Sequence, residues 1–234
     1  MRTIDLHRSL LISILRGIYS DPALRSILGF KGGTAAMLFY NLPRFSVDLD
    51  FDLLDPDKKQ IIMTRLSALL PAFGTVVEAT EKHFTLFFLV NYRKGQRNLK
   101  IEISKRPSGS VFIPKPFLGI SMLVMTQEDM AANKLAALLT RKRFATRDVF
   151  DVWFFLKNQW QINDHMVQEK IGMPMGMALE KAQDKIKNIK KTELLGGLGE
   201  LLDPKQKSWA RDHLIEDTIF QLRLYRDALQ TTHE

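Results

Sequence analysis

The sequence predicts an α/β protein of the α+β kind, in which a mixed β-sheet flanked by helices precedes an all-helical region. Two observations lead to this prediction. Apolar and polar residues alternate at 45–53 and again at 99–104, which is typical of half-buried strands. From residue 126 onward, after a proline-rich stretch at 107–119, apolar residues recur almost only at helical spacing.

The N-terminal elements are predicted from periodicity and from helix-start signals. Residues 3–19 are expected to form a helix, because their leucine and isoleucine residues recur at helical spacing. The Asp-Pro pair that begins segment 21–28 indicates a second, short helix. Segment 29–34 then connects to a helix at 35–40, for which Thr34 is the expected N-cap residue.

The remaining elements follow in the same way. Helical spacing returns at 57–70, after the alternating segment at 45–53. Further strands are expected at 76–79, 85–92 and 99–104. Helices are then predicted at about 126–141, 147–158, 163–171, 174–190 and 209–230. The change from strand patterns to helical spacing indicates a domain boundary near residue 120, with one domain at 1–120 and a helical domain at 121–234.

The composition excludes several classes of protein. The 234 residues are 45% hydrophobic, which is enough to bury a core. Cysteine is absent, and this excludes a disulfide scaffold, a thiolate nucleophile and a metal site built on thiolates. No apolar run approaches the roughly 20 residues of a membrane-spanning helix. We therefore expect a cytoplasmic protein with no membrane partner.

Charge is distributed unevenly along the chain. The formal net charge is +8, and residues 1–124 hold 17 basic and 10 acidic side chains. Within 82–115, eight basic residues accompany a single acid, Glu102, whereas five aspartates crowd into 48–57. The excess of basic residues is explained by a solvated surface with no partner, but a basic surface is also suited to binding a polyanion.

The alternation places three carboxylates on one side of the predicted sheet. Asp48 and Asp50 share the polar face of segment 45–53, and Glu102 lies on the polar face of 99–104. Converging carboxylates raise one another's pKa and favour a bound cation, and oxygen ligands alone select Mg²⁺ or Mn²⁺. The alternative for an isolated Asp-x-Asp is a solvated strand end that blocks aggregation.

A glycine pair stands upstream of these acids. Gly32 and Gly33 allow close backbone approach to a ligand, and Thr34 begins a helix whose free N–H groups favour an anion. An ordinary strand-to-helix turn is the alternative. A phosphate-binding turn shortly before a metal-binding pair would form one site for a nucleotide.

These motifs resemble the polymerase-β-type nucleotidyltransferase superfamily. The resemblance rests on KGGT at 31–34, RFSVDLDF at 44–51 and Glu102 between hydrophobic residues. The fuller pattern is similar to the AbiEii/AbiGii toxin family, whose later motifs match 127–135 and the stretch from Arg143 to Asp151. The resemblance covers about 31–155.

The resemblance implies a role for each matching residue. Asp48 and Asp50 would bind both metal ions, with Glu102 as the third carboxylate near the attacking hydroxyl. Lys134 and Asp151 would act in catalysis from the helical domain, which would close over the nucleotide. The implied nucleotide-binding residues are Gly32, Gly33, Thr34, Arg44, Ser46, Lys134 and Asp148. For Asp148 and Asp151, a structural ion pair within their helix is the alternative.

The function expected from the resemblance is a metal-dependent nucleotidyltransferase that takes a nucleoside triphosphate (NTP) and releases pyrophosphate. It would be the toxin of a type IV toxin–antitoxin or phage-abortive-infection system, with a cognate antitoxin as partner. The basic stretch 82–115 favours an RNA acceptor such as tRNA. A protein or small-molecule acceptor, or a non-catalytic nucleotide-binding module, remain the alternatives.

Overall fold

The computed structural model describes residues 3–95, 97–190 and 192–231 and divides the chain into two compact units. The first unit consists of Met1–Asn41 and Ser46–Thr126, and the second of Leu42–Phe45 and Gln127–Glu234. The predicted fold class is confirmed, because the first unit contains a mixed sheet with helices and the second is built from helices.

The first unit is organised around a seven-stranded sheet with the order β3-β4-β5-β2-β1-β7-β6. Strand β2 pairs with β5 in parallel and with β1 antiparallel, so β2 lies at the centre of the sheet. The strands are β1 (Leu28–Lys31), β2 (Asp48–Leu53), β3 (Thr75–Glu81), β4 (Thr85–Asn91), β5 (Leu99–Ser104), β6 (Phe112–Phe117) and β7 (Ile120–Met125).

Three helices accompany this sheet, α1 (Thr3–Ser20), α2 (Gly32–Phe39) and α3 (Lys59–Leu69). The apolar stripe of α1 is fully buried at Leu11, Ile14, Leu15 and Ile18, whereas Leu6 and Leu10 are half-buried. Aromatic rings join the sheet to α1: Phe51 on β2 lies 5.3 Å from Phe30 on β1 and 6.5 Å from Tyr19, between ring centroids. This core fixes which face of β2 is left for polar side chains.

The structure of this unit differs from the sequence predictions in several places. Residues 21–27 form turns rather than a helix, and Leu28–Lys31, predicted in part as a connection, is strand β1. Helix α2 begins at Gly32, so Thr34 lies within its first turn and is not its N-cap residue. The proline-rich stretch contains β6, which lies at the edge of the sheet, where proline is tolerated. Strand β7 was not predicted.

The second unit contains the predicted helices, with small shifts at their ends. They are α4 (Gln127–Thr140), α5 (Thr146–Lys157), α6 (Asp164–Ile171), α7 (Met175–Lys187) and α8 (Pro204–Thr231). Aromatic residues contribute to its core, where the rings of Phe155 and Trp160 stack with centroids 4.1 Å apart. None of the helices in the described part of the chain is long and apolar enough to cross a membrane.

Candidate active site

Three carboxylates occupy neighbouring positions on the polar face of the central strands. In the parallel pairing of β2 with β5, Asp50 lies opposite Glu102 and Asp48 lies opposite Lys100. Burial alternates along β5 and over the first four residues of β2, so the apolar residues point into the core and these polar residues share the other face. The structure therefore brings Asp48, Asp50 and Glu102 together.

The glycine turn is packed directly against this strand. Gly32 has φ +78°, which favours glycine, and a Cβ atom at this position would lie 2.6 Å from Asp50 Oδ2. Thr34 is fully buried and donates its hydroxyl hydrogen bond to the main-chain carbonyl oxygen of Asp48. The turn and the aspartates thus form one local structure, in which Gly33 is buried in the first turn of α2.

The first turn of α2 is suited to an anion. Its N-cap residue, Lys31, makes no side-chain hydrogen bond to the turn. The first N–H groups of a helix lack partners within the helix and carry partial positive charge. A phosphate could therefore be bound by main-chain groups at Gly32 and Gly33, whereas the Thr34 hydroxyl is already used by the carbonyl of Asp48.

Electrostatic repulsion is visible at Asp50. Burial, followed by the charges of Asp48 and Glu102, raises the pKa of this carboxyl above its usual range. Within the described part of the chain, no hydrogen bond or ion pair reaches its side chain. Asp50 is thus a carboxylate whose negative charge is poorly compensated by the protein itself.

A lysine that was not predicted to belong to the site partly compensates its two neighbours. Lys100 Nζ lies 3.3 Å from Asp48 Oδ2 and 3.3 Å from Glu102 Oε2. Burial on its own would lower the pKa of Lys100, but Asp48, Glu102 and Asp50 outweigh it and raise the pKa. A sequence signal for Lys100 was present, because Lys100 and Glu102 are two residues apart in a strand and therefore lie on the same face.

The third aspartate of β2 is neutralised separately. Asp52 is buried, and one of its oxygens forms an ion pair with Lys31, the last residue of β1. Its other oxygen, Oδ2, is buried without a hydrogen-bond partner in the described part of the structure. The acids of β2 therefore divide into Asp52, paired with Lys31, and Asp48 and Asp50, which lie beside Glu102.

A buried histidine supports the beginning of β2. His7 Nε2 donates to the carbonyl oxygen of Val47 at 2.9 Å, and its Nδ1 accepts from the Tyr92 hydroxyl at 2.8 Å. Burial lowers the pKa of His7, which agrees with a neutral ring that donates at one nitrogen and accepts at the other. No histidine was assigned a role from the sequence, and this one is placed to position the backbone next to Asp48.

The second unit contains a separate cluster of buried charges. Lys134 Nζ lies 3.0 Å from Asp148 Oδ1 and 2.8 Å from Asp151 Oδ2, and both carboxylates are fully buried. Arg44 makes a bidentate contact with Asp151, at 2.5 and 2.7 Å. Arg141 Nη1 lies 3.1 Å from Asp148 Oδ2. Both aspartates of α5 therefore pair with residues outside their own helix.

Opposite charges set the protonation states of this cluster. Burial alone would raise the pKa of Asp151, but Arg44 and Lys134 hold it below its ordinary value. Burial would likewise lower the pKa of Lys134, whereas Asp151 and Asp148 together raise it. The lysine remains charged, and its charge is already balanced by carboxylates of its own unit.

The predicted site residues are thus distributed over both units. Asp48, Asp50 and Glu102 lie with Gly32, Gly33 and Thr34 in the first unit, together with the buried Ser46. The second unit holds Arg44, Lys134, Asp148 and Asp151. Arg44 belongs to the short segment Leu42–Phe45, which is fastened there by a hydrogen bond from the Phe45 N–H to the Leu201 carbonyl at 2.8 Å.

The donor set of the first unit fits a hard divalent cation. It consists of carboxylate oxygens, which Mg²⁺ and Mn²⁺ prefer, and it already attracts the ammonium group of Lys100. In the chain as described, no three side chains of histidine, aspartate or glutamate stand at the spacing of a preformed metal site. The chemistry of the residues fits the ion, and the ammonium group of Lys100 contacts two of them.

Comparison with solved structures shows a known fold. The chain is similar to a proposed nucleotidyltransferase from H. pylori, with a TM-score of 0.63 and 23% identity over 97% of this chain and 96% of that one. It is also similar to JHP933 from Helicobacter pylori, with a TM-score of 0.57 and 21% identity over 100% of this chain and 99% of that one.

Comparison by sequence gives the family. None of the curated proteins is significantly similar to the chain. The model of one family, the nucleotidyl transferase AbiEii toxins of type IV toxin–antitoxin systems, matches residues 13–215. This range contains the carboxylate face, which is formed by Asp48, Asp50 and Glu102. It also contains the glycine turn and the charged cluster of the second unit. The chain therefore belongs to the AbiEii family of nucleotidyltransferase toxins.

Proposed function

We propose that this toxin transfers a nucleotide from an NTP to an RNA hydroxyl and releases pyrophosphate, acting in the cytoplasm, where both substrates occur. The observation that carries the proposal is the pairing of Asp50 with Glu102 beside Asp48, next to a glycine turn. Acids that the protein compensates only partly, adjacent to a phosphate-binding turn, are suited to phosphoryl transfer.

In the proposed reaction, the acceptor oxygen forms a bond to the α-phosphorus of the NTP. The bond between that phosphorus and the β-bridging oxygen breaks, and pyrophosphate leaves with the bonding electrons. Glu102, whose side chain is 35% exposed, accepts the hydroxyl proton and passes it to water. Main-chain N–H groups at Gly32 and Gly33 hold phosphate oxygens.

Asp48, Asp50 and Glu102 would hold Mg²⁺ or Mn²⁺. When bound, such ions neutralise the phosphates and stabilise the attacking and leaving oxygens. The contribution of the protein is to keep these carboxylates adjacent. Strand β2 does this through its pairing with β5, and the hydrogen bonds from Thr34 and His7 fix its backbone.

The acceptor and the nucleotide are tested by a labelling experiment. The protein is incubated with each of the four α-³²P-labelled NTPs, Mg²⁺ and total cellular RNA and protein, with Asp48→Asn as the inactive control. Label in RNA from one NTP, dependent on Asp48, supports the proposal. Label in protein or in a small molecule would identify the alternative acceptors, and a lack of labelling with every NTP would favour a nucleotide-binding module.

The basic stretch 82–115 contributes only in part to an RNA surface. Within it, Lys82 and Arg106 lie over the rings of Phe87 and Phe84, while Lys100 and Lys105 pair with acids. Lys115 lies over the ring of Tyr40. Lys82 and Arg106 are nevertheless exposed, as are Arg93, Lys94 and Arg97, which follow one another closely in the turn between β4 and β5. We propose that this turn contacts the acceptor.

Charge reversal to glutamate at Arg93, Lys94 and Arg97 is expected to weaken RNA binding and leave NTP binding unchanged. Removing these contacts should reduce the slope of log affinity against log salt by about 2. RNA binding is measured by fluorescence anisotropy at several salt concentrations. The matched control reverses Lys181, Lys187 and Lys190 of the second unit, which are also exposed. An equal loss of RNA affinity in both triple variants would show that RNA binding depends on the net charge of the protein and not on this turn.

Lys134 is proposed to bind the NTP phosphates. Lys134→Ala is expected to weaken NTP binding at least tenfold, because an ammonium group that contacts phosphate contributes a charge-assisted interaction. Lys134→Arg should restore only part of the affinity, since its planar fork does not fit a point-charge position. Calorimetric titration with NTP and Mg²⁺ measures both, with thermal unfolding as the control for folding. Wild-type affinity in folded Lys134→Ala would limit this lysine to the buried charge cluster.

The family description places this toxin in a toxin–antitoxin system, so an antitoxin is its partner. We propose that a neighbouring reading frame encodes this cognate antitoxin. Co-expression of neighbouring reading frames with the toxin, scored by growth, identifies it. Rescue of growth by one such frame without loss of the toxin from the cell would support the assignment.

A further inference from the structure

Lys100 occupies the position from which a cation compensates the carboxylate face. Its ammonium group bridges Asp48 and Glu102 at equal distances of 3.3 Å. This position follows from the strand register, which sets Lys100 opposite Asp48 and two residues before Glu102 on the same face of β5. The contact is therefore built into the sheet and does not depend on a loop.

A second lysine, Lys31 on β1, forms an ion pair with a different carboxylate of β2. Lys31 pairs with Asp52, whose side chain is almost completely buried, whereas Lys100 pairs with Asp48 and Glu102, whose side chains are 17% and 35% exposed. Lys100 contacts two of the three carboxylates, Asp48 and Glu102, so a single ammonium group compensates only part of this face. Lys100 is thus the lysine whose ion-pair partners are also the proposed metal ligands.

We propose that Lys100 is a built-in counter-ion that competes with divalent cations for Asp48 and Glu102. Without the metal ion, its ammonium holds the two carboxylates together and reduces their repulsion. When a divalent cation binds, Lys100 leaves both oxygens, so the affinity for the metal includes the loss of two ion pairs. The inference rests on the proposed function, because it takes these carboxylates as the metal ligands.

Competition predicts that removing the lysine strengthens metal binding. In Lys100→Met, Mn²⁺ should bind about five- to tenfold more tightly than in the wild type, as expected for the loss of two partly exposed ion pairs. The probe is Mn²⁺ alone, and its free concentration is measured by electron paramagnetic resonance. Without metal, the same variant should unfold at a lower temperature, and Mn²⁺ should raise its Tm more than that of the wild type.

Two further variants separate this effect from a general change of charge. Lys105→Met removes the same charge from a neighbouring lysine that pairs with Glu81 instead, and it should bind Mn²⁺ as the wild type does. Lys100→Arg keeps the charge and should also stay close to the wild type. Tighter binding in Lys105→Met as well would replace the specific competition by a general electrostatic effect.

The remaining outcomes distinguish this inference from the proposed function. Equal or weaker Mn²⁺ binding in Lys100→Met, with binding abolished by Asp48→Asn, would overturn the role of Lys100 and leave the metal site in place. Absence of Mn²⁺ binding in the wild type and in all variants would overturn both the counter-ion and the proposed metal dependence.

Discussion

Asp50→Asn is expected to reduce nucleotide transfer by at least about 10²–10³-fold, which is typical of losing one charged group that stabilises a transition state. The same change should make the metal-free protein more stable. Asp50 is held next to Asp48 and Glu102, and its side chain has no ion pair among the described residues. The amide keeps the shape of the side chain while removing the repelled charge.

The pH dependence follows from the raised pKa of Asp50. A carboxyl group whose pKa is raised on folding does not destabilise the protein at a pH below the ordinary pKa of an aspartate, because it is then protonated in both the folded and the unfolded state. Stability is lost as the pH rises from this value to the raised pKa. The stability gained by Asp50→Asn over the wild type should therefore grow with pH across that interval and remain constant above it.

These expectations are measured by product formation from labelled NTP and by urea unfolding at several pH values without metal. Asp57→Asn is the matched control, because Asp57 is exposed near the end of the same acidic run. It should change neither property. Near wild-type turnover in Asp50→Asn with Mg²⁺ would contradict the proposed metal-binding role of this carboxylate.

Arg44→Ala is expected to lower the free energy of unfolding by about 3 kcal/mol or more, because it removes one partner of a buried ion pair. The Arg44 guanidinium donates to both oxygens of Asp151, and both side chains are almost completely buried. Without it, Lys134 is the remaining ion-pair partner of this carboxylate among the described residues, and Lys134 is shared with Asp148. The segment Leu42–Phe45 would also lose its main polar anchor in the second unit.

The lowered pKa of Asp151 gives the sign of the pH effect. A carboxyl group whose pKa is lowered on folding stabilises the protein above the ordinary aspartate pKa of about 3.9, and this contribution is lost as the pH falls through the lowered pKa. The difference between the wild type and Arg44→Ala should therefore be largest near neutral pH. It should shrink as the solution is acidified below the ordinary value.

Chemical denaturation at neutral and acidic pH measures this prediction. Arg226→Ala is the control in the same unit, since Arg226 pairs with Glu180 at the surface and its loss should cost no more than about 1 kcal/mol. A similarly small effect for Arg44→Ala would show that the buried pair contributes little beyond its own desolvation.

Local periodicity was sufficient to predict most of the fold and the central feature of the candidate site. The alternation in β2 and β5 predicted that Asp48, Asp50 and Glu102 share a face, and the register places them side by side. The prediction worked because side chains in a strand alternate strictly, and an apolar face must be buried. The helices of the second unit were predicted for the same reason, since their apolar stripes are long.

Elements without a long pattern were missed. Strand β1 is only four residues long and buried between β2 and β7, so it shows no alternation. Strand β6 contains Pro114 and Pro116, which normally argue against a strand and are tolerated here because β6 lies at the edge. In both cases the neighbouring strands, rather than the local residues, determine the conformation.

The residue types of the site, the strand faces that carry them and the family motifs that contain them follow from the amino-acid sequence. Which charges meet follows from the folded chain: Lys100 with Asp48 and Glu102, Lys31 with Asp52, and Arg44 with Asp151. An ion pair depends on distances of a few ångströms between residues that are often far apart in the chain. Periodicity along the sequence shows which side chains share a strand face, but strand register and helix packing set the distances between them.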